Sequence, residues 1–283
     1  MRILITGAAG MLGREVVDHA RTRDHDVTAA DRTTLDVGDA DAVDAIVAQT
    51  RPDVIVNCAA ATAVDACETD RAGAFRVNAE GVAHLANAAA AHGAHLVQVS
   101  TDYVFDGTKT APYHEADVTN PQSVYGESKL AGERAALALD DRATVARTAW
   151  VFGRHGANMV KTVLRIRDQV PVLRFVGDQI GSPTSAADLA TMLVRFAEER
   201  RPGLYHVTNE GAVSWHGFVA EILRQLGDDP MRVEAITTAE LDPPRPAPRP
   251  ANSVLENRAL AAAGVALLRP YEAALADVLA ALR

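Results

Sequence analysis

The stretch Arg2–Gly13, RILITGAAGMLG, decides the fold, because it joins a short apolar run to three evenly spaced glycines. Arg2–Thr6 predicts a strand, and Leu12–Ala20 predicts the helix that follows the glycines. Glycine permits a tight turn, and it lets backbone N–H groups at a helix N-terminus approach a pyrophosphate. The sequence therefore predicts a dinucleotide-binding loop whose glycines are Gly7, Gly10 and Gly13.

Strands and helices alternate regularly beyond this loop. Further strands are predicted at Val27–Ala30, Val54–Asn57, Leu96–Ser100 and Thr144–Ala149. The helices predicted between them cover Asp39–Gln49, Arg71–Ala91 and Ser123–Leu139. Such alternation indicates a doubly wound parallel α/β sheet of the Rossmann type, which binds ligands outside the carboxyl ends of its strands.

The regular alternation loosens after about Phe152. We expect residues 1–152 to form the dinucleotide-binding domain and residues 153–283 to form a smaller, mainly substrate-binding region, with some segments returning to the main sheet. Five prolines lie within Asp242–Pro250, DPPRPAPRP, which excludes a helix or a central strand there. A stiff loop or linker is the simple interpretation of this stretch.

Composition limits the classes of function. The 283 residues include 28 Lys and Arg against 37 Asp and Glu, a net charge of −9, which disfavours a broad nucleic-acid-binding face. The sequence contains neither an HExxH motif nor a Cys/His cluster, so it gives no indication of a catalytic metal. Cys58 and Cys67 are expected to be reduced thiols of a cytoplasmic protein. The sequence contains no apolar run of about 18 residues, the length that would predict a membrane-spanning helix.

An acid after the second strand strengthens the dinucleotide prediction. Asp31 can accept hydrogen bonds from the adenosine ribose hydroxyls, which favours NADH. Arg32 follows directly and could pair with a 2′-phosphate, which favours NADPH. The choice between the two cofactors stays open. Asp36 and Val37 are expected on the adenine side of the cofactor.

Tyr125 and Lys129 are the strongest catalytic candidates. They lie four residues apart on a predicted helix, VYGESKLAGE, and so share one of its faces. A nearby ammonium is expected to stabilise a phenolate and lower the pKa of the tyrosine. Thr101, at the end of the strand in VSTDYVFDG, adds a hydroxyl. An exposed helical pair is the plain alternative for Tyr125 and Lys129.

Taken together, these motifs resemble the extended short-chain dehydrogenase/reductase superfamily. More narrowly, RPDVIVNCAAATAVDACE, VSTDYVFDG, YGESKLAGE, RTAWVFG, GDQIGSPTSAADLA and RPANSVL resemble the dTDP-4-dehydrorhamnose reductase family over nearly the whole chain. The resemblance implies reduction of the C4 keto group of dTDP-4-dehydro-L-rhamnose to dTDP-L-rhamnose by NADPH or NADH. A monomer or a homodimer is expected.

The resemblance also assigns roles to individual residues. Tyr125 would donate the proton, Lys129 would hold the nicotinamide ribose, and Thr101 would bind the carbonyl or the tyrosine. The residues expected to line the cofactor are Gly7, Gly10, Met11, Leu12, Gly13, Asp31, Asp36, Val37, Ala60, Ala61, Thr62, Tyr125 and Lys129. Those expected at the nucleotide sugar are Thr101, Asp102, Trp150, Arg249 and Asn252. Asn78 is expected to help order the site.

Plainer roles compete with several of these assignments. Trp150 could belong to the core, and Asp102 could cap the following loop. Arg249 and Asn252 could be surface residues of the proline-rich stretch.

Three other functions are compatible with this fold. A C4 ketoreductase for another dTDP-4-keto-6-deoxyhexose of antibiotic-sugar biosynthesis could have much the same sequence. A nucleotide-sugar dehydratase or epimerase is disfavoured, because related dehydratases carry Asp-Glu after the strand-end threonine and this chain has Asp102 and Tyr103. A non-catalytic subunit resembling the regulatory subunit of methionine adenosyltransferase belongs to a different class, and the intact Thr101, Tyr125 and Lys129 argue against it.

Overall fold

The computed structural model describes residues 1–283, and six parallel strands form its main sheet. These strands are β1 (Arg2–Thr6), β2 (Asp26–Ala30), β3 (Val54–Asn57), β4 (His95–Thr101), β5 (Ala143–Thr148) and β10 (Gly203–His206). Their order is β10-β5-β4-β3-β1-β2, so the chain runs from β1 to one edge of the sheet and then returns on the other side through β3. The doubly wound parallel sheet predicted from the sequence is confirmed, and its switch point lies between β1 and β3.

Helices cover both faces of this sheet. The long helices on the two faces are α1 (Met11–Thr22), α2 (Ala40–Thr50), α5 (Gly81–His92), α6 (Val124–Leu137) and α8 (Ala186–Glu199). Side chains of α1 and α8 share one buried cluster with Ile3, Ile5 and Val97 of the strands. Side chains of α2 and α5 share another with Leu4 and Ile55. Successive strand residues thus point to opposite faces, and both faces are apolar, as a buried parallel sheet requires.

Most of the remaining chain forms a smaller lobe with its own core. Its helices are α7 (Met159–Ile166), α9 (Trp215–Leu226) and α11 (Tyr271–Ala281). The short helix α10 (Arg258–Ala262) packs instead against β10 of the main sheet, where Leu260 joins the buried cluster of α1 and α8. The short strands of the lobe are β6 (Val151–Phe152), β7 (Leu173–Val176), β8 (Ile180–Gly181), β9 (Thr184–Ser185), β11 (Asn209–Glu210), β12 (Val213–Ser214), β13 (Val233–Ile236) and β14 (Leu268–Pro270). They pair two by two, as β6–β9, β7–β13, β8–β12 and β11–β14. The core of this lobe includes Phe218, Ile222 and Leu275.

The structure corrects one predicted helix. Arg71–Ala91 is not one continuous α-helix: α4 (Arg71–Phe75) runs into a π-helical segment, Arg76–Glu80, before α5 begins. A further helix that the sequence did not predict, α3 (Val64–Thr69), precedes α4. The π-helical turn accommodates an extra residue and re-aims the side chains around it, a distortion that is frequent at functional sites.

The proline-rich stretch Asp242–Pro250 contains neither helix nor strand, as its composition predicts. No helix of the protein combines the length and the apolar character needed to cross a membrane.

Candidate active site

The glycine loop packs so tightly that it has no room for side chains. Gly7 has a φ of +65°, and a Cβ there would lie 2.6 Å from the Ala59 nitrogen. A Cβ on Gly13 would lie 2.1 Å from the Gly7 carbonyl oxygen. Gly10 is the N-cap of α1, and the first turn of that helix carries neither a capping side chain nor an acid. The N-terminus of α1 therefore offers uncapped amides and a positive dipole end that suit a pyrophosphate.

A cavity of about 750 Å³, here the glycine-loop cavity, opens beside this loop. Its lining includes Gly7, Gly10, Asp31, Asp36, Val37, Ala60 and Ala61. A second cavity of about 420 Å³, the central cavity, shares Gly10 and Ala60 with the first. It is lined by, among others, Met11, Leu12, Gly13, Thr62, Thr101, Asp102, Tyr125, Lys129 and Trp150. All the residues predicted to hold the cofactor thus line one or the other of two adjoining cavities, and these residues fit a nicotinamide dinucleotide.

The far end of the glycine-loop cavity carries both acids and arginines. The Asp31 carboxylate accepts hydrogen bonds from the backbone N–H of Thr33 at 2.8 Å and from the Thr33 hydroxyl. The hydroxyl and the amide of Thr33 hold the pKa of Asp31 below its ordinary value. The Asp36 carboxylate is paired with Arg76, which lowers the pKa of Asp36. Asp31 is therefore an ionised acceptor, and exposed Arg32 is a cation beside it.

Thr101, Tyr125 and Lys129 meet in the central cavity. Thr101 ends β4, and Ser123 caps α6 by accepting a hydrogen bond from the Gly126 N–H at 3.1 Å. The cap fixes the start of α6, which presents Tyr125 and Lys129 one turn apart beside Thr101. The Lys129 ammonium donates to the Val99 carbonyl at 2.7 Å, which leaves two of its three N–H donors for other partners.

Burial dominates the protonation of these groups. Burial raises the pKa of Tyr125 above its ordinary value. The hydrogen bond with the Thr101 hydroxyl acts in the opposite direction, but its effect on the pKa is smaller. The net shift in the pKa of Tyr125 is therefore upward, and a lowering of that pKa by Lys129 stays a prediction. Burial also lowers the pKa of Lys129 to about 8, although the negative charge of the nearby Glu133 carboxylate acts to raise it. The phenol of Tyr125 stays protonated near neutral pH, which suits a proton donor.

Asp102 is buried against the same cavity. Its Oδ1 accepts a hydrogen bond from the Thr101 hydroxyl at 2.9 Å, and its Oδ2 is buried with no hydrogen-bond partner in the chain. Burial raises the pKa of Asp102 to about 6. An unpartnered carboxylate oxygen in a cleft has a ready role in accepting a hydrogen bond from a ligand hydroxyl.

Asn78 lies in the π-helical segment and is almost completely buried. Its Oδ1 accepts from the Ala61 N–H at 2.8 Å, and its Nδ2 donates to the Ala61 carbonyl and the Ser128 hydroxyl, both at 3.0 Å. Ser128 stands next to Lys129 on α6. Asn78 therefore ties the wall of the glycine-loop cavity to the helix that carries Tyr125.

Two tryptophans form one wall of the central cavity. Trp150 follows β5 with a φ of +46°, and its indole stacks on that of Trp215 with ring centroids 3.6 Å apart and planes within 6°. Trp215 is the first residue of α9, so the stack joins the smaller lobe to the main sheet. Gly181 makes room for it, because a Cβ there would lie 2.4 Å from Trp150. Trp215 was not among the residues predicted to line the site.

A third cavity of about 330 Å³, the arginine cavity, shares Tyr103 and Trp215 with the central cavity. Arg174, Arg245 and Arg249 line it, and no acidic side chain does. Arg249 forms a bidentate pair with Asp65 of α3, both contacts at 2.8 Å. This pair holds the proline-rich stretch against the main domain. Arg245 lies 3.6 Å from the Asp65 carboxylate as well, and Arg174 pairs with Glu234 at 3.4 Å. All three guanidiniums are thus already paired with carboxylates, and a diphosphate bound here would compete with those carboxylates for their N–H donors.

Asn252 lines none of these three cavities. Its Nδ2 donates to the carbonyls of Lys109 and Ala111 at 2.7 and 3.1 Å, and its Oδ1 accepts from the Val254 N–H at 3.1 Å. The side chain is thus used to hold two loops together, and its contact with substrate stays a prediction.

Glu15, Asp18 and His155 form a separate group of potential metal ligands. Arg154 already pairs with Glu15 at 2.9 Å and with Asp18 at 3.0 Å. We assign no metal to this group, and the expected absence of a catalytic metal stays a prediction.

Comparison with known proteins places the chain among nucleotide-sugar enzymes. The family model described as RmlD substrate binding domain matches residues 1–283. A dTDP-4-dehydrorhamnose reductase of Streptomyces griseus is 46% identical over 99% of this chain and 94% of its own length. A probable dTDP-4,6-dihydroxy-2-methyloxan-3-one 4-ketoreductase of Streptomyces antibioticus is 45% identical, over 99% of this chain and 97% of its own.

Among solved structures, the dTDP-4-dehydrorhamnose reductase of Bacillus anthracis in complex with NADP superposes with a TM-score of 0.95. It is 34% identical to this chain, and the alignment covers 99% of each chain.

Proposed function

This chain belongs to the dTDP-4-dehydrorhamnose reductase family, and we propose that it reduces the C4 keto group of dTDP-4-dehydro-L-rhamnose to give dTDP-L-rhamnose, with NADPH or NADH. One observation carries the proposal: Thr101, Tyr125 and Lys129 line the cavity that adjoins the glycine loop. A non-catalytic binding subunit has no need of a protonated phenol, an ammonium and a hydroxyl facing one cavity.

The cofactor would occupy the glycine-loop cavity and reach into the central one. Its pyrophosphate would lie on the amides at the start of α1, its adenosine ribose at Asp31 and its nicotinamide ribose at Lys129. When bound, the reduced nicotinamide supplies the hydride that C4 of the sugar accepts.

The chain supplies the proton. Tyr125 donates its phenolic proton to the C4 oxygen as the carbonyl becomes an alcohol, and Thr101 holds that oxygen by a hydrogen bond. The Lys129 ammonium then stabilises the phenolate electrostatically. The carbonyl gains one hydride and one proton, so the product is the neutral C4 alcohol.

The sugar nucleotide would bind across the central and arginine cavities. The sugar ring lies between Asp102 and the Trp150 indole in this arrangement, and the diphosphate lies beside Arg249. Residues 1–152 would thus bind mainly the dinucleotide, and residues 153–283 mainly the nucleotide sugar. Both cysteines are free thiols, in keeping with a protein of the cytoplasm, acting as a monomer or a homodimer.

The test is product identification. The chain is incubated with dTDP-4-keto-6-deoxyglucose, a 3,5-epimerase and either NADPH or NADH, and the absorbance of the reduced cofactor is followed. Formation of dTDP-L-rhamnose, identified by NMR, supports the proposal. A different C4 alcohol would point to the second candidate, a ketoreductase of another dTDP-4-keto sugar, which the 45% identity to the Streptomyces antibioticus protein favours. If no dTDP-4-keto sugar were turned over, the proposal would fail.

A further inference from the structure

A row of buried polar side chains crosses the main sheet beneath the cofactor cavities. Thr6 in β1 is in register with Asn57 in β3, which is in register with Gln98 in β4. Each of the three residues is only 1% exposed. Two residues earlier, the same strands place Leu4, Ile55 and Leu96 in the apolar core of the same face. The polar row therefore stands where aliphatic side chains would continue this core.

Hydrogen bonds join the row from end to end. The Thr6 hydroxyl donates to Asn57 Oδ1 at 2.5 Å, and Asn57 Nδ2 donates to Gln98 Oε1 at 2.7 Å. Gln98 Nε2 then donates to the Val99 carbonyl at 2.6 Å. Burying a side-chain amide is costly unless its groups are paired, and here each amide both donates and accepts.

Two of the three residues in this row, Gln98 and Asn57, connect it to the active site. The Val99 carbonyl that accepts from Gln98 also accepts from the Lys129 ammonium, so both of its lone pairs are used. In the middle of the row, Asn57 Oδ1 also accepts from the Ala59 N–H at 3.1 Å. That nitrogen faces Gly7 at the wall shared by the glycine-loop and central cavities.

We propose that Thr6, Asn57 and Gln98 are positioning residues, which orient the Val99 carbonyl and through it the ammonium of Lys129. Because the same row also holds Ala59, it links the placement of that ammonium to the wall of the cofactor cavity. A row joined from end to end by hydrogen bonds favours one arrangement, whereas aliphatic side chains would give the Val99 carbonyl no side-chain donor from within the sheet. The inference rests on the proposed function, in which Lys129 holds the nicotinamide cofactor.

A double-mutant cycle on cofactor binding tests this link. The dissociation constant of NADPH is measured by titration calorimetry for the unsubstituted chain, Gln98→Met, Lys129→Met and the double variant. Met has nearly the length of Gln but lacks its N–H donors. Gln98→Met is expected to weaken binding about fivefold to tenfold when Lys129 is present, and less than about twofold in the Lys129→Met background. Equal losses in the two backgrounds would show that Gln98 does not act through Lys129, and would overturn the proposal.

Two further variants guard against a general loss of stability. Ile55→Val removes one methylene on the same face of the sheet, and it is expected to lower the Tm while leaving NADPH affinity unchanged. If it weakened binding as much as Gln98→Met, the polar row would have no special role. Thr6→Val keeps the shape of the side chain and repeats the cycle from the far end of the row, with the same expected dependence on Lys129.

The same measurements separate this inference from the proposed function. A chain that reduces the keto sugar but shows an additive cycle would overturn the positioning role alone. A chain that binds neither NADPH nor NADH would overturn both.

Discussion

Replacing Tyr125 by Phe removes one hydroxyl from the central cavity and is expected to abolish most of the turnover. A positioned general acid contributes about 10²- to 10⁴-fold to a rate, which corresponds to about 2.7 to 5.4 kcal/mol of transition-state stabilisation. The ring belongs to a small buried cluster with Cys67 and Ala74 and meets Tyr103 edge-to-face at 5.4 Å. Phe keeps these contacts and loses only the hydrogen bond with the Thr101 hydroxyl, so the free energy of unfolding should fall by about 1 kcal/mol.

The assay follows oxidation of the reduced cofactor with the dTDP-4-keto sugar, and calorimetry checks that the affinity for NADPH is retained. Tyr113→Phe is the matched control. Its hydroxyl donates to Asp106 at 2.8 Å and lies outside the three cavities, so this variant should lose about 1 kcal/mol of stability and keep its turnover. If Tyr125→Phe kept more than about a tenth of the turnover, another group would have to donate the proton.

Three other expectations follow from distances and charges in the site. Gly13→Ala should weaken NADPH binding strongly, as measured by calorimetry, because the new Cβ would lie 2.1 Å from the Gly7 carbonyl oxygen; unchanged affinity would contradict the tight loop. NADPH affinity should fall as the pH rises through about 8, because the Lys129 ammonium loses its proton there. A dissociation constant that stayed the same from pH 7 to about 9.5 would show that the charge of Lys129 does not contribute to binding. Arg245→Ala should raise the KM for the dTDP sugar about tenfold and leave NADPH affinity unchanged, and an unaltered KM would remove the arginine cavity from the substrate site.

The main sheet could be predicted from the sequence because its strands are short apolar runs bounded by turns. The glycine loop could be predicted equally well, because such a loop is built from a strand, a glycine turn and a helix in that order, and all three are local features of the sequence. Tyr125 and Lys129 were found because their spacing is a property of one helix, independent of the rest of the fold.

Other features depend on contacts between distant parts of the chain. Asp65 and Arg249 pair across 184 positions of sequence, and nothing local to either residue indicates the partner. The stack of Trp150 on Trp215 likewise joins two lobes. The π-helical segment escaped prediction for another reason: its residues fit an α-helical pattern. The contacts of Asn78 within it, with Ala61 and Ser128, are made to distant parts of the chain. The rise in the pKa of Tyr125 follows from burial, which spacing alone does not reveal.

The Trp150–Trp215 stack also has a spectroscopic consequence. These are the only two tryptophans of the chain, so all of its indole fluorescence originates at the wall of the central cavity. With ring centroids 3.6 Å apart, the two chromophores couple as one unit, and a change in either indole alters the whole emission. The protein thus carries an intrinsic optical reporter of any ligand that enters the central cavity, and its signal can be measured without labels and without turnover.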